Sequence, residues 1–231
     1  TCHIPIYAKN ASDTVATEAT EMDRSWLLGS EHTAAPRHPV TVKANNQVPV
    51  YRYWNRASDN YLLGDEIYED TQTGTYHTSI PDGAVNDPNS KLYPFKYKTS
   101  DYPLRTATNE LIALDTSVFF STANADAAAI SGLENMGFSK DDEYQWVITD
   151  TYQLLNHQVS PSDDALNCST CHLNTARIDL QGELGFAPTD TRATCASGCH
   201  SAEKAYAWEL GDYEEFLAHH KKHREKSADC Q

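Results

Sequence analysis

Residues 168–172 read CSTCH, two cysteines separated by two residues with a histidine directly after the second. No other stretch narrows the chemistry of this chain so far. The spacing is that of a c-type haem attachment site. Two thiols set this far apart reach the two vinyl groups on one porphyrin edge, while the adjacent imidazole bonds the iron from one face. Cys168 and Cys171 are the expected thioether donors and His172 the proximal ligand. Half of a zinc site is the competing reading, but zinc takes four ligands and usually a second cysteine pair at matching spacing.

A looser copy, CASGCH, occupies 195–200 and places three residues between Cys195 and Cys199 before His200. Gly198 tolerates the dihedrals that would let the extra residue bulge out; a disulfide or an ordinary thiol pair is the bland alternative. The two ends of the sequence supply a third case. Cys230 and Gln231, followed by Thr1, Cys2 and His3, spell CQTCH. That reading uses all six cysteines and leaves none for disulfides. It makes residues 1–231 a single trihaem repeat of a tandem or polymeric array, with haem c at three per repeat and neighbouring copies of the same repeat as partners.

Eighteen basic against thirty-three acidic residues give a formal charge of −15, to which ionised haem propionates add. Such a surface disfavours nucleic acid and anionic membrane. No stretch approaches the roughly 20 apolar residues of a membrane helix, so no membrane insertion is expected. Covalent haem attachment occurs outside the cytoplasmic membrane in c-type cytochromes as a class, which places the protein outside the cell or at the cell surface, with the periplasm as the alternative.

Only 39% of the chain is apolar, and turn-forming residues are frequent, so porphyrins are expected to replace much of the hydrophobic interior. The expected fold is mostly α with extensive irregular loop and little β, wrapped around covalent haems. Helices are expected at 123–135, 141–157 and 201–226, with a short one at EMDRSWLLG (21–29); NQVPVYRYWN (46–55) reads as a short strand and 71–105 as loop.

The segments CQTCHIPIYAK, PVYRYWN, KLYPFKYKTSDYPL and NHQVSPSDDALNCSTCHLNTARIDLQGELGF resemble the C-terminal half of cytochromes similar to octahaem tetrathionate reductases. The likeness runs from the CQTCH junction through about residue 186. It implies the wrapping fold and the ligand arrangement of that family. Those reductases carry one lysine-ligated haem at a CxxCK motif, whose iron keeps an open position for substrate. Here every second cysteine is followed by histidine, so the activity does not carry over.

Each iron needs a sixth ligand unless it binds substrate. Met22 and Met136 are the only thioethers, whereas seven histidines remain after the proximal His3, His172 and His200: His32, His38, His77, His157, His219, His220 and His223. Bis-histidine coordination follows. His157 ranks first, eleven residues before Cys168 in a stretch similar to the family's ligand-bearing segment, and His223, seven residues before Cys230, ranks second. For the third, His219 and His220 are plausible; His38 and His77 could instead reach a haem of the neighbouring repeat, and His32, like these two, also reads as a solvated loop histidine.

Saturated haems in tandem describe a wire. The expected function is electron transfer through stacked bis-histidine haems in a repeating unit of an extracellular filament, similar in logic to cytochrome nanowires. Its partners would then be neighbouring copies, other redox proteins or extracellular electron acceptors. A multihaem oxidoreductase acting on a sulfur or nitrogen oxyanion such as tetrathionate is the alternative, and a purely structural role gives no reason for redox cofactors.

Overall fold

A computed structural model describes residues 1–9, 19–30, 32–167, 170–171 and 177–186. The chain divides into two units, Thr1–Leu184 and Gly185–Gln231, and the described architecture belongs to the first. The expected helix at 201–226 lies outside the described residues.

The expectation of a mostly helical fold is overturned. Among the described residues, nine strands form one mixed sheet, against two α-helices and one 3-10 turn. In chain order the strands are β1 (Thr20–Ser30), β2 (Pro39–Ala44), β3 (Val50–Trp54), β4 (Ser58–Asn60), β5 (Glu69–Asp70), β6 (Thr75–Pro81), β7 (Lys91–Arg105), β8 (Glu110–Leu111) and β9 (Tyr144–Leu154). The main path runs β2-β1-β7-β9-β6-β4; β3 and β8 also pair with β7, and β5 with β6. β1 with β7 and β6 with β9 are parallel, and the other pairs antiparallel.

β9 replaces the helix expected at 141–157. Its centre, Trp146 to Tyr152, is dominated by β-branched and aromatic residues, which fit a pleated, half-buried surface better than a helix. Continuous antiparallel pairing from Phe95↔Leu154 to Arg105↔Tyr144 then settles the matter. Asp141, Asp142 and Glu143 lie before the strand, where Asp142 meets Arg105 at 2.7 Å. The supposed loop at 71–105 contains β6 and the fifteen-residue β7. Its prolines argue against a central strand, yet Pro94 and Pro103 are fully buried in it. They survive because proline lacks only the donor: the Pro94 carbonyl still accepts from Leu155 at 3.2 Å and the Pro103 carbonyl from Ile112 at 2.8 Å. EMDRSWLLG is part of β1 rather than a helix, while NQVPVYRYWN contains β3 as expected.

The helices are α1 (Thr116–Thr122) and α2 (Ala125–Asn135), the latter close to the expected 123–135. Asp115 caps α1 by accepting from the amides of Ser117 and Val118, and Asn124 caps α2 by accepting from Ala127. The interior consists of small clusters. Trp26 packs with Phe119, Ala125 and Ala128; Ile67 with Leu104, Leu111 and Val147; Tyr51 with Ile178 and Leu184; and Leu155 with Ile4, Tyr7 and Ala8.

Candidate haem-attachment site

The first residues are laid against the segment that follows β9. The Cys2 carbonyl accepts from the Leu166 amide at 2.9 Å and the His3 carbonyl from the Ser160 amide at 2.7 Å. Lys9 reinforces the pairing from further along, its Nζ 3.2 Å from Ser160 Oγ and its amide 3.3 Å from Gln158 Oε1. Tyr7 anchors the same stretch to the sheet side by exchanging two backbone hydrogen bonds of 2.9 Å with Gln47. Cys2 and His3 are held by their backbones and present their side chains exposed.

His3 Nδ1 lies 3.2 Å from the Ser160 carbonyl oxygen. A carbonyl only accepts, so Nδ1 carries a proton, and in the neutral ring Nε2 keeps its lone pair. A metal-binding histidine is oriented in this way, its second nitrogen donating to a backbone carbonyl. Nothing in the sequence marks Ser160 for this task.

Of the CSTCH motif, Thr170 and Cys171 are described. Cys171 packs, half-buried, against the cluster of Tyr51, Ile178 and Leu184. Tyr51, on β3, is 3% exposed. Burial raises its phenol pKa; Arg177 opposes the rise, and the negative charge available to Cys171 and to Cys2 adds to it. Leu92 packs against the same cluster, and its carbonyl accepts from the hydroxyl of Thr1, the neighbour of Cys2. Arg177 donates to the Pro5 carbonyl and, at 3.3 Å, to the Tyr51 hydroxyl. Its Nε–H is buried with no acceptor. Sequence reasoning missed Tyr51 and Arg177, since neither belongs to a motif.

These residues fit haem c: two exposed motif side chains, a thiol at the edge of an apolar cluster, an imidazole with its iron-facing nitrogen available, and an unpartnered buried cationic donor that a propionate would satisfy. Cys168, His172, Cys195, Cys199, His200, His219, His220, His223 and Cys230 lie outside the described residues.

The remaining candidate ligands fall in different environments. His157 is exposed on the segment after β9, beside Gln158, whose φ is +58°, and three residues before the Ser160 that orients His3. His32 and His38 share the loop between β1 and β2, their ring centroids 5.5 Å apart. His77 on β6 is committed elsewhere. Its Nδ1 lies 2.6 Å from Asp150 and its Nε2 3.0 Å from Asp70, and two carboxylates leave neither nitrogen for an iron in this arrangement. Burial opposes the charge on His77, but the two carboxylates outweigh it and raise its pKa above the usual histidine value. Among the described residues no three histidine, cysteine or acidic side chains cluster as a metal site.

None of the curated proteins matches the chain. A solved structure that does is an octahaem cytochrome c from Shewanella oneidensis, with a TM-score of 0.62 and 29% sequence identity over 80% of this chain. The chain covers 45% of that cytochrome's length. The family model described as bacterial cytochrome c matches residues 39–175, more than half of the chain and including the Cys168–Cys171–His172 motif. The chain belongs to the bacterial cytochrome c family.

Proposed function

We propose that this chain transfers electrons through covalently attached bis-histidine haems, three per copy, as a repeating unit of an extracellular filament. The observation that carries the reading is that Cys171 packs against the Tyr51 cluster, where Leu92 also packs and accepts from the hydroxyl of Thr1, the neighbour of Cys2, which brings residues of two attachment motifs to one cluster. Bound there, haem supplies a one-electron couple, and two neighbouring groups of this kind exchange electrons without any change in a substrate. The chain's own residues hold them in place. The backbone of 160–166 clamps residues 2 and 3, Ser160 fixes the imidazole tautomer of His3, and Arg177 offers a buried donor. His157 and His223 are the proposed distal ligands, with His219 or His220 as the third. His3 follows one motif cysteine, Cys2, and the other thiol is proposed to be Cys230, of the same or another copy.

The reading as an oxyanion reductase needs an iron with an open axial position, and each attachment motif here ends in histidine rather than lysine. One set of measurements separates the two. The protein isolated with its haems should contain three haems per chain, all low-spin in both redox states, and haem-linked peptides should join Cys2 to Cys230. His157→Ala should turn one haem high-spin. Two haems per chain, or rapid binding of carbon monoxide by the reduced protein, would overturn the electron-carrier reading in this form. An unchanged spin state in His157→Ala would remove His157 from the ligand set.

A further inference from the structure

The loop between β1 and β2 carries two imidazoles that the haem reading does not use together. His32 and His38 are both exposed, their rings tilted 79° to one another with centroids 5.5 Å apart. The loop that presents them is pinned at both ends. The Ser30 hydroxyl oxygen accepts from the His32 amide at 3.0 Å and from the His38 amide at 3.1 Å, tying both residues to one atom. Between them, the Arg37 amide donates to the Phe120 carbonyl at 2.8 Å and its Nη1 to the Ser121 carbonyl at 3.2 Å. The Phe120 ring lies 5.5 Å from that of His38 and walls one side.

Two imidazoles on one metal ion place their nitrogens about 2.0–2.1 Å from it. At bond angles near tetrahedral, the ring centroids are then about 5.1–5.2 Å apart by simple trigonometry, since the centroid lies about 1.1 Å behind the nitrogen. The observed 5.5 Å is within reach of a small side-chain rotation. A haem iron cannot use such a pair. Its four equatorial positions belong to the porphyrin and one axial position to the proximal histidine, so a single site remains and one haem iron cannot take both imidazoles. We propose that His32 and His38 form a surface site for one borderline divalent cation of the zinc or copper(II) class, with water completing the shell.

Imidazole suits these metals better than it suits calcium or magnesium. The two rings border a cavity of about 410 Å³ whose other walls include Trp26, Thr41 and Lys43, which leaves room for the water ligands. Arg24, also at its edge, has its charge offset by Glu21 at 2.9 Å. Lys43 opposes a cation there, while the formal charge of −15 on the whole chain draws cations toward it.

The test is calorimetric titration of the oxidised, haem-loaded protein with Zn2+. One site per chain is expected, and His32→Ala and His38→Ala should each raise its dissociation constant by roughly tenfold or more, with far-UV circular dichroism unchanged. Lys43→Gln should strengthen binding. The haem absorption spectrum should be the same in all variants. Zinc binding that neither histidine substitution weakens, or no binding at all, overturns the site. So does a high-spin haem in His38→Ala, which would make His38 an iron ligand; that outcome leaves the electron-carrier reading intact.

Discussion

At the scale of single residues, the most constrained group in the described unit is Asp150. Its side chain is completely buried and accepts from Thr75 at 2.8 Å, Tyr97 at 3.0 Å and His77 at 2.6 Å. Both His77 nitrogens face carboxylates that only accept, so the ring is an imidazolium. Asp150→Ala removes the buried acceptor of Thr75, Tyr97 and His77 and leaves His77 with Asp70 alone; a loss of roughly 1–3 kcal/mol is expected in urea unfolding. The pH dependence has a definite sign. Because the folded-state pKa of His77 is raised, its stabilisation is complete below the unfolded value of about 6.5 and is lost as pH rises through the folded value. The stability difference between the protein and His77→Gln should therefore be larger at about pH 6 than at about pH 9, and a difference that grows with pH would refute the imidazolium assignment.

At the scale of elements, α2 shows how packing overrides propensity. Alanine is favoured over glycine by about 1 kcal/mol inside a helix, so Gly132→Ala looks stabilising from the sequence. In the structure a Cβ at Gly132 would stand 2.2 Å from the Ala113 carbonyl oxygen and 3.0 Å from a methyl of Ile112. Backbone cannot yield as a flexible side chain does, and Gly132→Ala is expected to lower the melting temperature. The same conflict explains β9. Its acidic preface and scattered apolar residues were compatible with a helix, but eleven consecutive residue pairs with β7 need partners that no local window contains. Far-UV circular dichroism of the unit, corrected for haem, should accordingly be dominated by strand.

At the scale of the whole molecule, charge governs association. Copies carrying −15 each repel one another, and the haem propionates increase that repulsion. Salt shortens the range of this force, to about 10 Å at 0.1 M. If Cys230 of one copy shares a haem with Cys2 and His3 of another, electron microscopy should show fibres of fixed rise and rotation that survive both low and high salt, because the joint is covalent. Fibres that dissolve at low ionic strength would place the contact on the surface instead and sink the shared attachment.

The cofactor class was legible in the sequence because haem attachment is local chemistry: CSTCH puts two thiols and an imidazole within five residues, and no fold is needed to recognise it. The short strand at 50–54 and the helix at 125–135 were legible for the same reason, through residues that act on their near neighbours. Only the tertiary structure decided that 144–154 is a strand, that Cys171 and Thr1, the neighbour of Cys2, come to the Tyr51 cluster, that Ser160 faces His3, and that His77 pairs with Asp150 and Asp70. Each of these rests on a contact between residues far apart in the chain, whose energy depends on which strands pair, and residue order alone carries no such information.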